Sequence, residues 1–249
     1  MSRALLPLDS NQADLWLLPV DGTATPESPF WAWLHPTERA RHQRYLFPRN
    51  RDEFLLTRAL VRSTLSRYVE VDPAAWVFRT NEHGRPEIAE PRVPLRFNLS
   101  NTQGLIACAV AWERDVGVDV ENSAEKTDVT SIAGNYFSPQ EVSSLFALPW
   151  ERQRTRFFEF WTLKEAYIKA RGMGLAIPLD QFSFLVADDA PIQVALDPRL
   201  GDDATTWQFA LLRPASDFFA ALAIRRGHGA DLGINVRHVR NVQDLAVAS

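Results

Sequence analysis

Hydrophobic and polar positions along this chain follow two periods, and the clearest helical one runs from Phe157 to Leu175, FFEFWTLKEAYIKARGMGL. At 100° per residue, Phe157, Phe160, Trp161, Leu163, Tyr167 and Ile168 cover a wide arc, the pattern of a core helix that Gly172 can end. One narrow stripe is polar: Glu165 and Lys169 lie one turn apart beside Thr162. Two ionisable groups on so apolar a helix cost stability unless they pair or hold something charged. A second helix is expected over about Arg51–Tyr68, with Phe54, Leu55, Ala59, Leu60 and Leu65 at core-facing spacings. Shorter helices start at His35-Pro36-Thr37-Glu38, where Pro in the first helical turn marks the start, and at Ser138-Pro139-Gln140-Glu141, where an N-cap Ser, Pro at the first helical position and Glu at the third mark a capping box. Strands are expected over 13–19, 76–80, 105–112, 116–121, 181–186, 207–212 and 218–224. The turn Glu113–Asp115 makes 105–121 read as a hairpin. A Pro-rich loop precedes His35, and the tail from about Arg226 looks peripheral.

The offsets repeat. Pro36 and Pro139 each begin a Pro-x-Glu helix 103 residues apart, and Phe54 and Phe157, near the starts of the two long helices, are also 103 apart. Each long helix leads through a Pro-containing turn to an aromatic strand and then to an alanine-rich apolar strand. This organisation predicts an α/β (α+β) fold of two similar α/β halves in pseudo-twofold arrangement, 1–104 and 105–249, with a ligand held where they meet.

In the segment VGVDVE, Val116, Val118 and Val120 point one way and Asp119 and Glu121 the other. Two carboxylates on one face about 7 Å apart repel by roughly 2 kcal/mol at an effective dielectric of about 20. An open, solvated strand edge tolerates that; so does a site that binds a cation.

Composition narrows the choice. With 249 residues, 46% of them hydrophobic, the chain can bury a substantial core. Its net charge of -4 argues against a general nucleic-acid or anionic-membrane binder. No sufficiently long apolar run or leader pattern occurs, so a cytoplasmic location is expected. The lone Cys108, within LIACAVAW, reads as inert core. Between His35 and Arg67 eight arginines face only Glu38, Asp52 and Glu53, either as a solvated helix face or as clamps for an anion. Only Lys126, Lys164 and Lys169 are lysines among the 27 basic residues, and two of the three fall in the central helix, where a compact ammonium differs from a planar fork.

If Asp119, Glu121 and Glu165 converge, they form an all-oxygen cluster suited to a hard divalent cation, Mg²⁺ or Mn²⁺. Lys169 then stands ready to touch a phosphate. Together these parts describe metal-assisted phosphoryl chemistry on a phosphate-rich small molecule. Neither a GxxxxGK[ST] loop nor a GxGxxG turn is present, which disfavours ordinary ATPase and dinucleotide folds.

Gly117-Val118-Asp119-Val120-Glu121, followed about forty residues later by Trp161-Thr162-Leu163-Lys164-Glu165-Ala166-Tyr167-Ile168-Lys169-Ala170 and Gly172-Met173-Gly174-Leu175, resembles the paired signature of the 4′-phosphopantetheinyl transferases. Length, doubled organisation and the upstream Phe97-Asn98-Leu99-Ser100 resemble the larger Sfp-type class. The resemblance implies that fold and a transfer of the phosphopantetheine arm of coenzyme A to a serine of an apo acyl or peptidyl carrier protein, releasing 3′,5′-ADP. It implies Mg²⁺ or Mn²⁺ on Asp119, Glu121 and Glu165, with Asp119 also among the residues that face coenzyme A. It makes Glu165 the leading acceptor of the serine proton and Lys169 the group that stabilises charge on the pyrophosphate. Arg41, Arg79 and Arg85 would hold coenzyme A phosphates, Ser100 and Asn101 would contact the nucleotide, and Phe137–Leu148 would help dock the carrier. A monomer is expected, with no nucleic acid or membrane partner.

Two positions depart from the family pattern. Asn101 replaces a histidine common in relatives, and Glu38 stands where some have a phosphate-binding lysine. The alternative carried alongside is a metal-dependent nucleotide phosphohydrolase, which uses the same carboxylates but needs no carrier surface. A non-catalytic scaffold, with Glu165 and Lys169 merely paired inside a buried helix, is the third reading.

Overall fold

The computed structural model describes residues 4–20, 29–187 and 190–246; residues 21–28 of the Pro-rich loop lie outside them. In chain order the elements are β1 (Gln12–Pro19), α1 (Pro36–Arg44), α2 (Pro48–Ser66), β2 (Val77–Thr80), β3 (Pro86–Glu90), β4 (Leu95–Thr102) and β5 (Leu105–Trp112). Next come β6 (Val116–Asn122), α3 (Val129–Tyr136), α4 (Pro139–Phe146), α5 (Trp150–Arg171), β7 (Phe182–Leu185) and β8 (Gln193–Leu196). The strands β9 (Trp207–Ala215), β10 (Phe218–Arg225) and β11 (Gly233–His238) complete the chain.

These elements form two compact units. The first comprises residues up to Thr80, Pro86–Glu113 and the chain from Gly233 onward; the second comprises Asn81–Arg85 and Arg114–Leu232. The division therefore falls at Glu113 and not at residue 104, and the first unit reclaims the tail. Strand pairing gives the reason. β5 is hydrogen-bonded on both edges, to β1 and to β4, within the sheet β11-β1-β5-β4. With both edges taken, β5 has none to offer β6, which pairs with β10 instead. The expected 105–121 hairpin is thus two strands of different sheets, joined at Glu113 with φ 55.

Nor is the tail peripheral. β11 runs parallel to β1, and Val239 and Leu245 are buried in the first core. Its side chains also satisfy Asp14, a fully buried carboxylate. Asn235 Nδ2 donates to Asp14 Oδ1 at 2.9 Å, and Tyr68 Oη and Arg237 Nε both donate to Oδ2 at 2.5 Å.

The first core lies between α2 and this sheet, joining Leu55, Leu60 and Leu65 to Trp16, Phe97, Ile106 and Val110. Cys108 belongs to it and is buried, with burial raising its thiol pKa, as an inert core residue requires. α2 begins at Pro48, three residues before the expected start, because Pro at the first helical position needs no amide donor. In the second unit α5 packs on the sheet β6-β10-β9, and Phe157, Phe160 and Tyr167 meet Phe182, Phe184, Trp207 and Phe219.

Repetition at 103 residues reappears as topology. Each unit runs strand, short Pro-initiated helix, long helix, two-stranded sheet, then two antiparallel strands. The last strand of each set pairs with the first, so β1-β5-β4 matches β6-β10-β9. The additional helix α3 and strand β11 are the departures.

Candidate active site

The site grows from the contact of β6 with α5. In β6, Gly117, Asp119 and Glu121 lie opposite Ala223, Ala221 and Phe219 of β10, residues that line the α5 side of the sheet. The carboxylates therefore face the helix. Asp119 is only 4% exposed, which removes the solvated-edge reading. Gly117 is what lets the helix come so near: a Cβ there would stand 2.5 Å from Ala170 N and nearer still to the Ala166 carbonyl oxygen. Both backbone atoms belong to the turn of α5 that carries Glu165 and Lys169.

Lys169 Nζ lies 2.6 Å from Asp119 Oδ1, and Trp161 Nε1 donates to Glu121 Oε1 at 2.9 Å. Burial, reinforced by the charge of Asp119, pushes Glu121 up to about 7, against the pull of the Trp161 hydrogen bond and of Lys169. Glu165 is raised for the same two reasons, with Lys169 again opposing. Three acids thus sense one another's charge around one ammonium. Among the described residues, no group of three or more His, Cys, Asp or Glu side chains stands ready-made around a metal position. As it stands, Lys169 occupies one oxygen of Asp119 and Trp161 one of Glu121. By chemistry the donor set fits a hard cation: it is all oxygen, and its charge exceeds what a single lysine neutralises.

The helix bearing these groups is fixed at three places. At its C-terminus Gly172 adopts the left-handed conformation (φ 65), and Asn81 Nδ2 and Arg85 NH1 donate to the carbonyl oxygens of Gly172 and Ala170, each at 2.7 Å. On one flank Asp202 accepts from Tyr167 Oη and Arg171 of α5 (2.7 Å each), and from Trp207 Nε1 and Arg225 of the adjoining strands. On another, Lys164 is fully buried against Glu141 at 2.7 Å.

Comparison with known proteins decides what this arrangement belongs to. The family model described as the 4′-phosphopantetheinyl transferase superfamily matches residues 115–223, the span holding β6 and α5. The 4′-phosphopantetheinyl transferase HetI of Nostoc sp. is 33% identical over 221 residues, 88% of this chain and 90% of its own length. The chain belongs to the 4′-phosphopantetheinyl transferase family. The 4′-phosphopantetheinyl transferase Sfp of Bacillus subtilis is also 33% identical, over 67% of this chain and 73% of its own. A solved holo-[acyl-carrier-protein] synthase of Thermotoga maritima aligns with 44% of this chain and 61% of its own at 21% identity and TM-score 0.36, too distant to add to this. Nothing in these relatives supports the phosphohydrolase alternative.

In this transferase, Arg85, Asp119, Glu121, Glu165 and Lys169 fall in the second unit, and Arg41, Arg79, Ser100 and Asn101 in the first. Arg85 differs from expectation in its company, since its guanidinium is already on Ala170 O and, at 3.3 Å, on Asp115. Ser100 is buried while Asn101, the next residue of β4, points to the opposite face and donates to Glu53. Arg79 is exposed beside Glu87, and Arg41 lies 5.5 Å over the Phe54 ring. Glu38 has its own task. It closes the capping box on His35 N at 3.0 Å and meets Arg62, a buried arginine of α2, at 2.6 Å. Arg62 also donates to the carbonyls of Pro73 and Trp76, so part of the arginine cluster is internal structure, neither solvated face nor clamp.

Sequence reasoning missed Lys164, Glu141, Asp202 and the indole of Trp161 as parts of the site's support. The scarcity of lysine was the one signal for Lys164. Its three protons go to Glu141 Oε2, Leu179 O and Phe182 O at 2.6–2.7 Å, which a planar guanidinium fork does not match.

Proposed function

We propose that this transferase moves the 4′-phosphopantetheine group of coenzyme A to a serine hydroxyl of an apo acyl or peptidyl carrier protein, releasing 3′,5′-ADP. The observation that supports the reading is the Lys169–Asp119 ion pair at the β6–α5 contact, with Glu121 and Glu165 near enough for their carboxyls to feel the charges of Asp119 and Lys169, on a helix anchored along its length. Asp119, Glu121 and Glu165 would hold Mg²⁺ or Mn²⁺, which supplies charge neutralisation for the pyrophosphate. Glu165, whose proton affinity burial and Asp119 raise, is suited to take the serine proton. The serine oxygen bonds to the pantetheine-side phosphorus as the bond to the 3′,5′-ADP oxygen breaks, and Lys169 meets the negative charge left on the departing phosphate. Arg41, Arg79, Arg85, Ser100 and Asn101 are proposed to bind coenzyme A, Arg85 sharing its guanidinium with Ala170 O.

Exposed Tyr136, Phe146 and Trp150 border α3 and α4 and support carrier docking around Phe137–Leu148. A monomer in the cytoplasm, without nucleic acid or membrane partners, completes the proposal; no described helix is long and apolar enough to cross a membrane. The test is product analysis after incubation with coenzyme A, Mg²⁺ and an apo carrier. Transfer gives a heavier carrier and one 3′,5′-ADP per carrier modified. Cleavage of coenzyme A with an unmodified carrier would overturn the reading and restore the phosphohydrolase.

A further inference from the structure

The ion pair between Glu141 and Lys164 has more order than stability alone requires. Both side chains are fully buried. Lys164 Nζ donates to Glu141 Oε2 at 2.7 Å and to the carbonyls of Leu179 and Phe182 at 2.6 Å each, and lies 4.2 Å from the centre of the Phe182 ring. Glu141 in turn accepts from Ser138 N and Oγ at 3.1 Å through Oε2, and from Phe184 N at 2.9 Å through Oε1. One closed network therefore ties the first turn of α4, the segment entering β7 and the middle of α5. An apolar pair of the same volume would stabilise a core as well or better, because two desolvated charges recover their hydration only through such geometry. What the charged pair adds is direction: three acceptors fix the rotation of α5 at residue 164, and Glu165 follows 100° further round the same turn.

We propose that Lys164 and Glu141 are positioning residues of the transfer, setting the rotation and height of α5 so that Glu165 and Lys169 meet Asp119 and Glu121. This rests on the reading of Glu165 and Lys169 as the reacting helix groups given above. The pair touches neither substrate nor cation. It acts through the backbone of its own turn. The same network reaches the start of α4, so the element proposed to dock the carrier and the helix proposed to carry the chemistry share one fixed point.

The experiment compares the full-length protein with Lys164→Met, Glu141→Gln and the double variant Glu141→Gln/Lys164→Met. Thermal midpoint, kcat and KM for coenzyme A are measured with an apo acyl carrier protein, and Mn²⁺ binding is followed by electron paramagnetic resonance with coenzyme A present. Lys164→Met strands the Glu141 charge and should lower the midpoint, whereas the double variant, with both charges gone, should recover it. Positioning requires that kcat of the double variant stay down by about tenfold or more while KM for coenzyme A moves by less than about twofold, since a misplacement near 1 Å is enough to cost that much rate. Mn²⁺ should bind more weakly in the same variant. If kcat and Mn²⁺ affinity return together with the midpoint, the pair serves only the fold and the proposal is overturned. Should the double variant stay unstable, Glu141→Gln decides, assayed at a temperature where circular dichroism shows it fully folded: it keeps the volume and the cap, so wild-type kcat there overturns the proposal, and a loss of about tenfold in the folded variant with KM for coenzyme A unmoved supports it. A wild-type protein that transfers nothing would refute the transfer reading instead. The Mn²⁺ titration would still decide positioning.

Discussion

Replacing Gly117 with alanine adds one methyl group where β6 touches α5. The added Cβ would lie 2.5 Å from Ala170 N, against an ordinary contact of 3.4–4 Å, with the Ala166 carbonyl oxygen closer still. Both obstacles are helix backbone, so no side chain can swing aside. The strand and helix must separate by about 1 Å, and overpacking of this kind costs about 1–3 kcal/mol, here toward the upper end. Backbone freedom argues for the opposite sign, since Gly→Ala at an unstrained position stabilises by about 0.4–1 kcal/mol through the unfolded chain. We expect the steric effect to win, with Tm lower by about 4–10 °C. Because the separation falls between Asp119 and the Glu165 turn, turnover should drop by about 100-fold in the molecules that remain folded. Gly134, on α3, is the control: a Cβ there meets nothing within 4 Å, so Gly134→Ala should leave both quantities unchanged or raise Tm slightly. Calorimetry and a coupled transfer assay on both variants decide the matter. A Gly117→Ala protein with wild-type Tm and turnover would refute the close-contact argument.

Two further outcomes follow from the site. Burial raises Glu121 to about 7, so the folded, cation-free protein binds a proton more tightly than the unfolded chain does. Its contribution is therefore lost as pH rises through the folded value, and stability without cation should fall between about pH 5 and 7. Cation binding needs that proton gone, so affinity for Mg²⁺ should climb toward pH 7 and level above it, with proton release below; calorimetric titration in two buffers of different ionisation enthalpy measures both, and a flat affinity from pH 6 to 8 would contradict it. Asn101→Ala removes the partner of Glu53 and should raise KM for coenzyme A more than it lowers kcat. A selective loss of kcat in steady-state assays would move Asn101 into the chemistry.

Local signals in the sequence placed the elements that matter most. The 3.6-residue period of α5, the alternation in β6, the two Pro-initiated helices and the 103-residue offset all concern neighbours within a turn or a strand, where periodicity speaks directly. Pairing was less legible. Leu105–Trp112 and Val116–Glu121 look like a hairpin because a short turn separates them, and nothing local says that β1 and β4 already occupy both edges of β5. β11 was invisible for a similar reason, since its worth lies in Asp14, more than two hundred residues away. In the site, the acids and Lys169 announced themselves as charges on apolar elements. Lys164 was hidden because one buried lysine looks like any other until its three acceptors are known, and they come from Glu141, Leu179 and Phe182.

Glu165 is the residue on which the whole account turns, and mass measurement of the carrier tests it most directly. Apo carrier protein incubated with coenzyme A and Mg²⁺ should gain the phosphopantetheine mass with the wild-type protein. With Glu165→Gln, which keeps the side-chain shape and the helix but removes the charge, the carrier should stay at its apo mass while the variant's circular dichroism matches wild type. Full conversion of the carrier by a folded Glu165→Gln protein would contradict the account.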